Sequence, residues 1–293
     1  MSKIYYLVGL VMGLSILVVA QMPSSQAKMV VCDVGQGDAI LIIKGSNQTL
    51  IDGGPSSEKL LSCLGKYLPF WDRRIELIVL TNTDDDHING LSAVVERYQV
   101  MQFVTGDGVH EGTGLVKLAR ELTRARVRVE MVEQGDSLRI LGRDSIEFRV
   151  LWPPETKKEY SAVFSNQTDF VKREQILGAS AKRGNLNERS VVLLLLEDKK
   201  KVLLMGDAGD QAEKEMLKQG ILPDVDILKV GHHGSRYAST LEFLQVIKPE
   251  LAVISAGAKN SYGHPTQETL DRLKMIGAEV KRTDQNGTIM LEL

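Results

Sequence analysis

Cysteine is nearly missing from this chain: Cys32 and Cys63 are the only two in 293 residues. Both lie in apolar or helix-like surroundings, so two buried thiols are expected rather than a bridge, and so low a count assigns no compartment. An excess of charge of one sign is also missing. The formal net charge of −2 excludes a global attraction to nucleic acid or to an anionic membrane, so any polyanion must be bound locally. Aromatic residues make up only 5% of the chain, and no basic stripe with interleaved aromatics marks a nucleic-acid surface. The nucleotide-phosphate loop is absent as well, because "GQGD" at 35–38 is a turn without the Lys-Ser/Thr ending. There is no internal repeat, no low-complexity tract and no linker. The length could hold two average domains, but with nothing to divide it the chain reads as one α/β unit.

What is present begins at the N-terminus. "MSKIYYLVGLVMGLSILVVAQMPSSQAKMVV" carries an early lysine and an uncharged apolar run from Ile4 to Ala20. Small residues Ser25 and Ala27 follow at the spacing of a cleavage site. We expect residues 1–27 to be a signal peptide or a short membrane anchor, which places residues 28–293 outside the cytoplasmic membrane.

From Met29 onward short β-rich runs alternate with helical spacing. "KMVVCDVGQGDAILIIKGSNQTLIDGG" reads as three strands, "EKLLSCLGKYL" as a helix, "IELIVL" as a buried strand and "LSAVVERYQV" as a helix. Farther on, "SVVLLLLED" and "KKVLLMGDA" form a hairpin, and the β-α theme repeats to the end. The segment from Pro153 to Asn187 is polar, aperiodic and long, as expected of a flap.

The five histidines, His87, His110, His232, His233 and His264, each follow a strand or lie in a loop near one. Strand ends are where layered α/β proteins gather their chemistry. After "IELIVL" come Asp84, Asp85, Asp86 and His87, after "KVLLMG" comes Asp207, and after "DILKVG" come His232 and His233. After "ELAVISAG" the chain reaches His264. The acidic run could be an ordinary solvated loop. Carboxylate and imidazole on one shared edge can instead surround a divalent cation, which would relieve the repulsion within the run. Mixed oxygen and nitrogen donors suit zinc or manganese best, with iron as a further candidate.

"DVGQGDAILI", "LIDGG", "TNTDDDHINGL", "LLMGDA", "DILKVGHHGS" and "YGHP" together resemble the metallo-β-lactamase-fold hydrolase domain of ComEC-type DNA-uptake competence proteins. The resemblance runs from about Met29 to the C-terminus. It implies a four-layer αββα sandwich holding one or two divalent metal ions at one edge. It carries metal ligation to Asp84, Asp86, His87, Asp207, His232 and His264, with His233 able to exchange with His232. Asp33, Asp38 and Asp52 take supporting roles. The family motif is HxHxDH, or HxDxDH in the competence branch, and this chain has Asn82 at its first position. The usual histidine on the next strand has no clear match; His110 is in the right neighbourhood.

The resemblance also implies an activity: water made nucleophilic by the metal attacks a phosphodiester, most plainly in DNA. Asp86 would orient that water, and His264 or His233 would protonate the leaving oxygen. Arg236 and Lys229 would contact phosphate. Two alternatives stand beside this one. The chain could hydrolyse another small ester or a nucleotide, or it could be a silent binding module in which Asn82 has removed the chemistry. DNA, or the membrane through the N-terminal segment, are the partners these readings supply; no protein partner is inferable.

Overall fold

Side chains alternate across a strand, so a strand that is apolar at every position must be covered on both faces. The computed structural model, which describes residues 2–20, 24–107, 112–155 and 186–293, resolves such runs into two seven-stranded sheets packed face to face.

The first sheet holds β1 (Lys28–Val31), β2 (Ile40–Lys44), β3 (Asn47–Ile51), β4 (Arg74–Leu80), β5 (Gln99–Thr105), β6 (Arg128–Met131) and β14 (Ile289–Glu292), in the order β14-β1-β2-β3-β4-β5-β6. Pairing is antiparallel from β14 to β3 and parallel from β3 to β6. The second sheet holds β7 (Ser137–Ile140), β8 (Ile146–Trp152), β9 (Val192–Glu197), β10 (Lys200–Leu204), β11 (Ile227–Lys229), β12 (Leu251–Ile254) and β13 (Glu279–Arg282). It is antiparallel from β7 to β10 and parallel from β10 to β13.

Three separate cores fill the spaces between four layers. Helices α2 (Ser57–Tyr67), α4 (Leu91–Arg97) and α5 (Thr113–Arg124) cover the first sheet, where Leu60, Leu64, Val94 and Leu118 meet Ile78 and Leu80. Leu77 and Val79, on the opposite face of β4, join Phe148, Leu193 and Leu195 between the sheets. Leu194, on the other face of β9, packs with Met216, Phe243 and Leu273 under α6 (Asp210–Gln219), α7 (Leu241–Ile247) and α8 (Gln267–Met275). Each such side chain, fully buried, contributes about 1.5–3 kcal/mol. The expected layered α/β sandwich is therefore present.

Two findings bear on the expectations at the N-terminus. Ser2–Ala20 is the helix α1, yet among the described residues no helix is long and apolar enough to cross a membrane. Cys32 and Cys63 are not two thiols but a disulfide, with Cα atoms 6.0 Å apart. Cys32 follows β1, and Cys63 lies on the face of α2 that carries Leu60 and Leu64 into the same core. Periodicity buries each cysteine but does not say that β1 and α2 meet there.

Candidate metal centre

Parallel strands point the same way, so the residues that follow them share an edge. β3 runs into Asp52, β4 into Thr81 and the acidic run, β10 into Asp207, β11 into His232 and His233, and β12 into Ser255. The acidic run folds at once into the short helix α3 (Asp85–Ile88), whose first turn holds Asp85 and Asp86. Acidic residues are favoured there by the unpaired backbone N–H groups.

Backbone shape fixes the rest. Loop 35–38 passes so close to this turn that a Cβ on Gly37 would lie 2.1 Å from the Asp86 carbonyl oxygen, which accepts the Asp38 N–H at 3.2 Å. His232 and His233 both have left-handed backbone, at φ 44 and 52. That costs roughly 1–2 kcal/mol per non-glycine residue, and such strain collects at working sites.

Two histidines are held in one tautomer by what their Nδ1 atoms touch. His87 Nδ1 donates to Asp52 Oδ2 at 2.9 Å, and Asp52 is itself fixed by the Thr81 N–H at 2.7 Å and hydroxyl at 2.6 Å. His233 Nδ1 donates to the Ser255 carbonyl at 2.9 Å, with Asp38 Oδ1 at 3.5 Å. Each ring thus turns its Nε2 into the cluster, the orientation that outer partners impose on metal-binding imidazoles.

Those Nε2 atoms converge with two carboxylates. His87 Nε2 is 3.2 Å from Asp207 Oδ1, and His233 Nε2 is 3.2 Å from Asp86 Oδ2 and 3.5 Å from Asp207 Oδ1. Yet His87 Nε2, His233 Nε2 and Asp207 Oδ1 are all buried without an aligned hydrogen bond. Groups that crowd without pairing are directed at a point between them, and an orphaned buried polar atom is costly unless something occupies that point. Atoms of Asp86, His87 and His233, and likewise of Asp38, His87 and Asp207, lie within 4.8 Å of one another. Two imidazole nitrogens and two carboxylates are a donor set that fits a divalent cation.

The charge balance argues the same way. Asp38, Asp52 and Asp207 are buried, and Lys229 is the only buried lysine or arginine among the described residues. Burial acts to raise Asp38, but Lys229 and His233 bring it well below the ordinary carboxylate range. Asp207 is likewise brought far down by His87 and His233 against its burial. Asp52 remains raised, because burial outweighs the His87 charge. Burial would lower both histidines, but Asp207 and Asp52 lift His87 well above its usual range, and Asp207 and Asp38 lift His233 to about 10. The imidazoles hold protons against surplus negative charge at the place a cation would take.

Other expected residues stand elsewhere. Asn82 is not directed at the cluster: its oxygen accepts the Asp84 N–H at 3.1 Å and its nitrogen donates to Asn187 Oδ1 at 2.9 Å. Asn187 Nδ2 lies 3.3 Å from His232 Nε2, and an amide N–H only donates, so that ring nitrogen is its acceptor. His232 Nε2 lies 3.9 Å from Asp207 Oδ2, and the His232 ring is 5.4 Å from that of His264. Asp84 caps α3 and belongs to neither cluster of candidate ligands. His264, pushed down to about 4 by burial and the neighbouring His232 and His233, is neutral at pH 7.

Lys229 is a correction. Its side chain is wholly buried, 2.8 Å from Asp38 Oδ2, so it cannot meet a substrate phosphate. Asp33 is exposed, accepts the Gly35 N–H at 3.2 Å and belongs to neither cluster of candidate ligands. Arg236 is exposed at the rim. His110, and residues 156–185 of the expected flap, lie outside the described residues. Sequence reasoning missed Asn187, Thr81 and Ser255; the last two follow strands β4 and β12 and were open to the rule that found the aspartates.

Comparison with known proteins places these features in a family context. The metallo-beta-lactamase superfamily profile matches residues 32–258. ComE operon protein 3 of Bacillus subtilis strain 168 is 30% identical over 285 residues, covering 91% of this chain and 33% of that protein. Recombination protein 2 of Haemophilus influenzae is 26% identical over 264 residues, covering 88% of this chain and 28% of that protein. The chain thus spans about a third of the length of these curated relatives. The solved metallo-beta-lactamase fold protein YhfI from Bacillus subtilis shares the fold, with a TM-score of 0.56, 11% identity, and coverage of 90% of this chain and 100% of that one.

Proposed function

The chain belongs to the metallo-beta-lactamase superfamily, and from that premise we propose that it is an exported or membrane-anchored, metal-dependent hydrolase of phosphodiester bonds, acting on DNA. The observation that carries this reading is the convergence of His87 Nε2, His233 Nε2 and Asp207 Oδ1, all buried without an aligned hydrogen bond, with Asp86 Oδ2 3.2 Å from His233 Nε2. DNA is the substrate we favour, from the resemblance to ComEC-type competence proteins.

Asp86, His87, Asp207 and His233 would hold the cation. A bound divalent cation would supply Lewis acidity and lower the pKa of water. Asp86 has a side chain 30% exposed, so it can also accept a hydrogen bond from the attacking water. His264, pushed down to about 4, is neutral at pH 7 and so does not carry the extra proton that the leaving oxygen would need. His233 has both nitrogens committed within the cluster and is not a proton donor to substrate. Arg236 would meet the phosphate. We assign one cation rather than two, because the hydrogen bonds of Asn82 through Asn187 to His232 use the groups a second would need. Zinc, manganese and iron all suit the donor set.

Residues 1–27 act in this reading as a signal or an anchor. The apolar run Ile4–Ala20 supports export, and so does the Cys32–Cys63 disulfide, a bond that persists in oxidising compartments.

The Asn82 bridge also favours one competing reading, a cleft that binds but does not cleave. Elemental analysis of the purified protein, paired with cleavage of end-labelled DNA with and without manganese, separates the two. One equivalent of metal, and cleavage abolished by chelator and by Asp86→Ala, is the expected result. Bound metal without cleavage of any phosphodiester would leave the silent module.

A further inference from the structure

Five aromatic rings are linked by successive contacts from the buried centre to an exposed tyrosine. His87 and His233 have centroids 5.5 Å apart, His233 and His232 6.2 Å, His232 and His264 5.4 Å, and His264 and Tyr262 5.9 Å. The last pair is near-parallel, at 27°. One face of Tyr262 is thus covered by a ring of the site, while the residue as a whole is 70% exposed, which leaves its outer face open.

The loop beneath is braced. Asn260 Nδ2 donates to the carbonyls of Gly257 and His264, both at 2.7 Å, and its oxygen accepts the His264 N–H at 3.0 Å. A ring held in this way loses little freedom when something stacks on it. Arg236 is close enough for its charge to act on His264. Its guanidinium is 59% exposed and no nearer than 4.0 Å to Glu268, and the Arg236 carbonyl is held by Arg272 at 2.9 Å. A flat ring stacked on His264 and an exposed guanidinium only loosely paired with Glu268, whose charge also reaches His264, are complementary to a ligand that offers an aromatic plane and a phosphate together. An apolar protein partner would gain nothing from the arginine.

We propose that the open face of Tyr262 is a stacking platform for a nucleobase of the strand whose phosphodiester lies at the centre, with Arg236 on a neighbouring phosphate. The proposal rests on the phosphodiesterase reading and names a residue that sets which phosphodiesters are taken. Stacking on an aromatic side chain is worth about 1–3 kcal/mol per base, which converts to roughly 5- to 150-fold in affinity.

The test uses the full chain loaded with manganese, and Tyr262→Ala and Tyr262→Phe variants. Two oligonucleotides of equal length and charge serve as probes, one with 2-aminopurine among its bases and one abasic throughout. We expect Tyr262→Ala to raise KM and Kd for the base-bearing strand roughly 5- to 150-fold with little change in kcat, and to lose the quenching of 2-aminopurine. Binding of the abasic strand is expected to stay unchanged, and Tyr262→Phe to behave as wild type. If wild type and Tyr262→Ala bind the base-bearing strand equally while cleavage persists, stacking is overturned and the phosphodiesterase reading survives. Quenched binding without cleavage keeps the platform and removes the hydrolase. No binding of either strand by metal-loaded wild type overturns both.

Discussion

At the scale of single residues, the centre depends on groups that never touch the cation they prepare for. Asp52 takes three hydrogen bonds, from His87 Nδ1 and from the N–H and hydroxyl of Thr81. Asp52→Asn would offer an amide where His87 needs an acceptor, freeing the ring to turn. Such outer partners typically change metal affinity 10- to 100-fold, so manganese binding by calorimetry should weaken by about that factor while the fold is kept. Unchanged affinity would show that His87 is not a ligand. This layer was only partly legible in the sequence. Asp86, His87 and Asp207 stand directly after apolar runs, and the strand-end rule finds them. Asp52 follows β3 in the same way, but the pairing of Asp38 with Lys229 joins the loop before β2 to strand β11 of the other sheet, and no local pattern brings them together. Lys229 therefore read as a phosphate contact when it is a buried counter-charge. Asn187 was hidden for a different reason: it ends a polar stretch with no periodicity to locate it.

At the scale of elements, the loop that presents His232, His233 and Arg236 is fastened at its far end by α6. Glu213, fully buried on that helix, accepts hydrogen bonds from the backbone N–H of Ser239 and of Thr240 and from the Thr240 hydroxyl. Thr240 in turn caps α7 by accepting the Phe243 N–H. Burial raises Glu213 to about 7 against those hydrogen bonds. A carboxyl group whose pKa is raised on folding favours the folded state most below its unfolded value near 4.5. That contribution is lost as pH rises through about 7. The loss is on the order of 3 kcal/mol, at about 1.4 kcal/mol per pH unit of displacement. Denaturant unfolding should show wild type becoming less stable between pH 5 and pH 8, and Glu213→Gln should flatten that dependence. Equal slopes in the two proteins would mean that Glu213 does not titrate in this range. Helices and strands, in their order along the chain, were readable because helical spacing alternates with short apolar runs that are buried on both faces. The fastening of one loop by a helix outside its own hairpin was not, since a glutamate on an amphipathic helix reads as solvated surface.

At the scale of the whole molecule, the two halves of the sandwich are joined at the centre. Asp86 and His87 follow β4 of the first sheet, whereas Asp207 and His233 follow β10 and β11 of the second. A cation held by all four would staple sheet to sheet, and any ligand that binds only the folded state stabilises it by mass action. At 100 times its dissociation constant the gain is about 2.7 kcal/mol, which for a chain of this size raises Tm by on the order of 5 to 10 °C. The disulfide acts elsewhere. Cys32 and Cys63 both lie in the core between the first sheet and its helices, and their bridge closes a loop of sequence separation 31. Loop closure of that length is worth roughly 3–4 kcal/mol in the chain-entropy account. Because the two constraints share no contacts, their losses should add to within a few tenths of a kcal/mol. Unfolding of wild type with manganese, with chelator, with a Cys32→Ser/Cys63→Ser pair and with both changes forms the cycle that measures this. Additive losses place the staple and the bridge in independent parts of the molecule. A Tm indifferent to manganese and chelator in the wild type would mean that no cation joins the sheets, and the crowding of His87, His233, Asp86 and Asp207 would then have to be relieved by their protons alone.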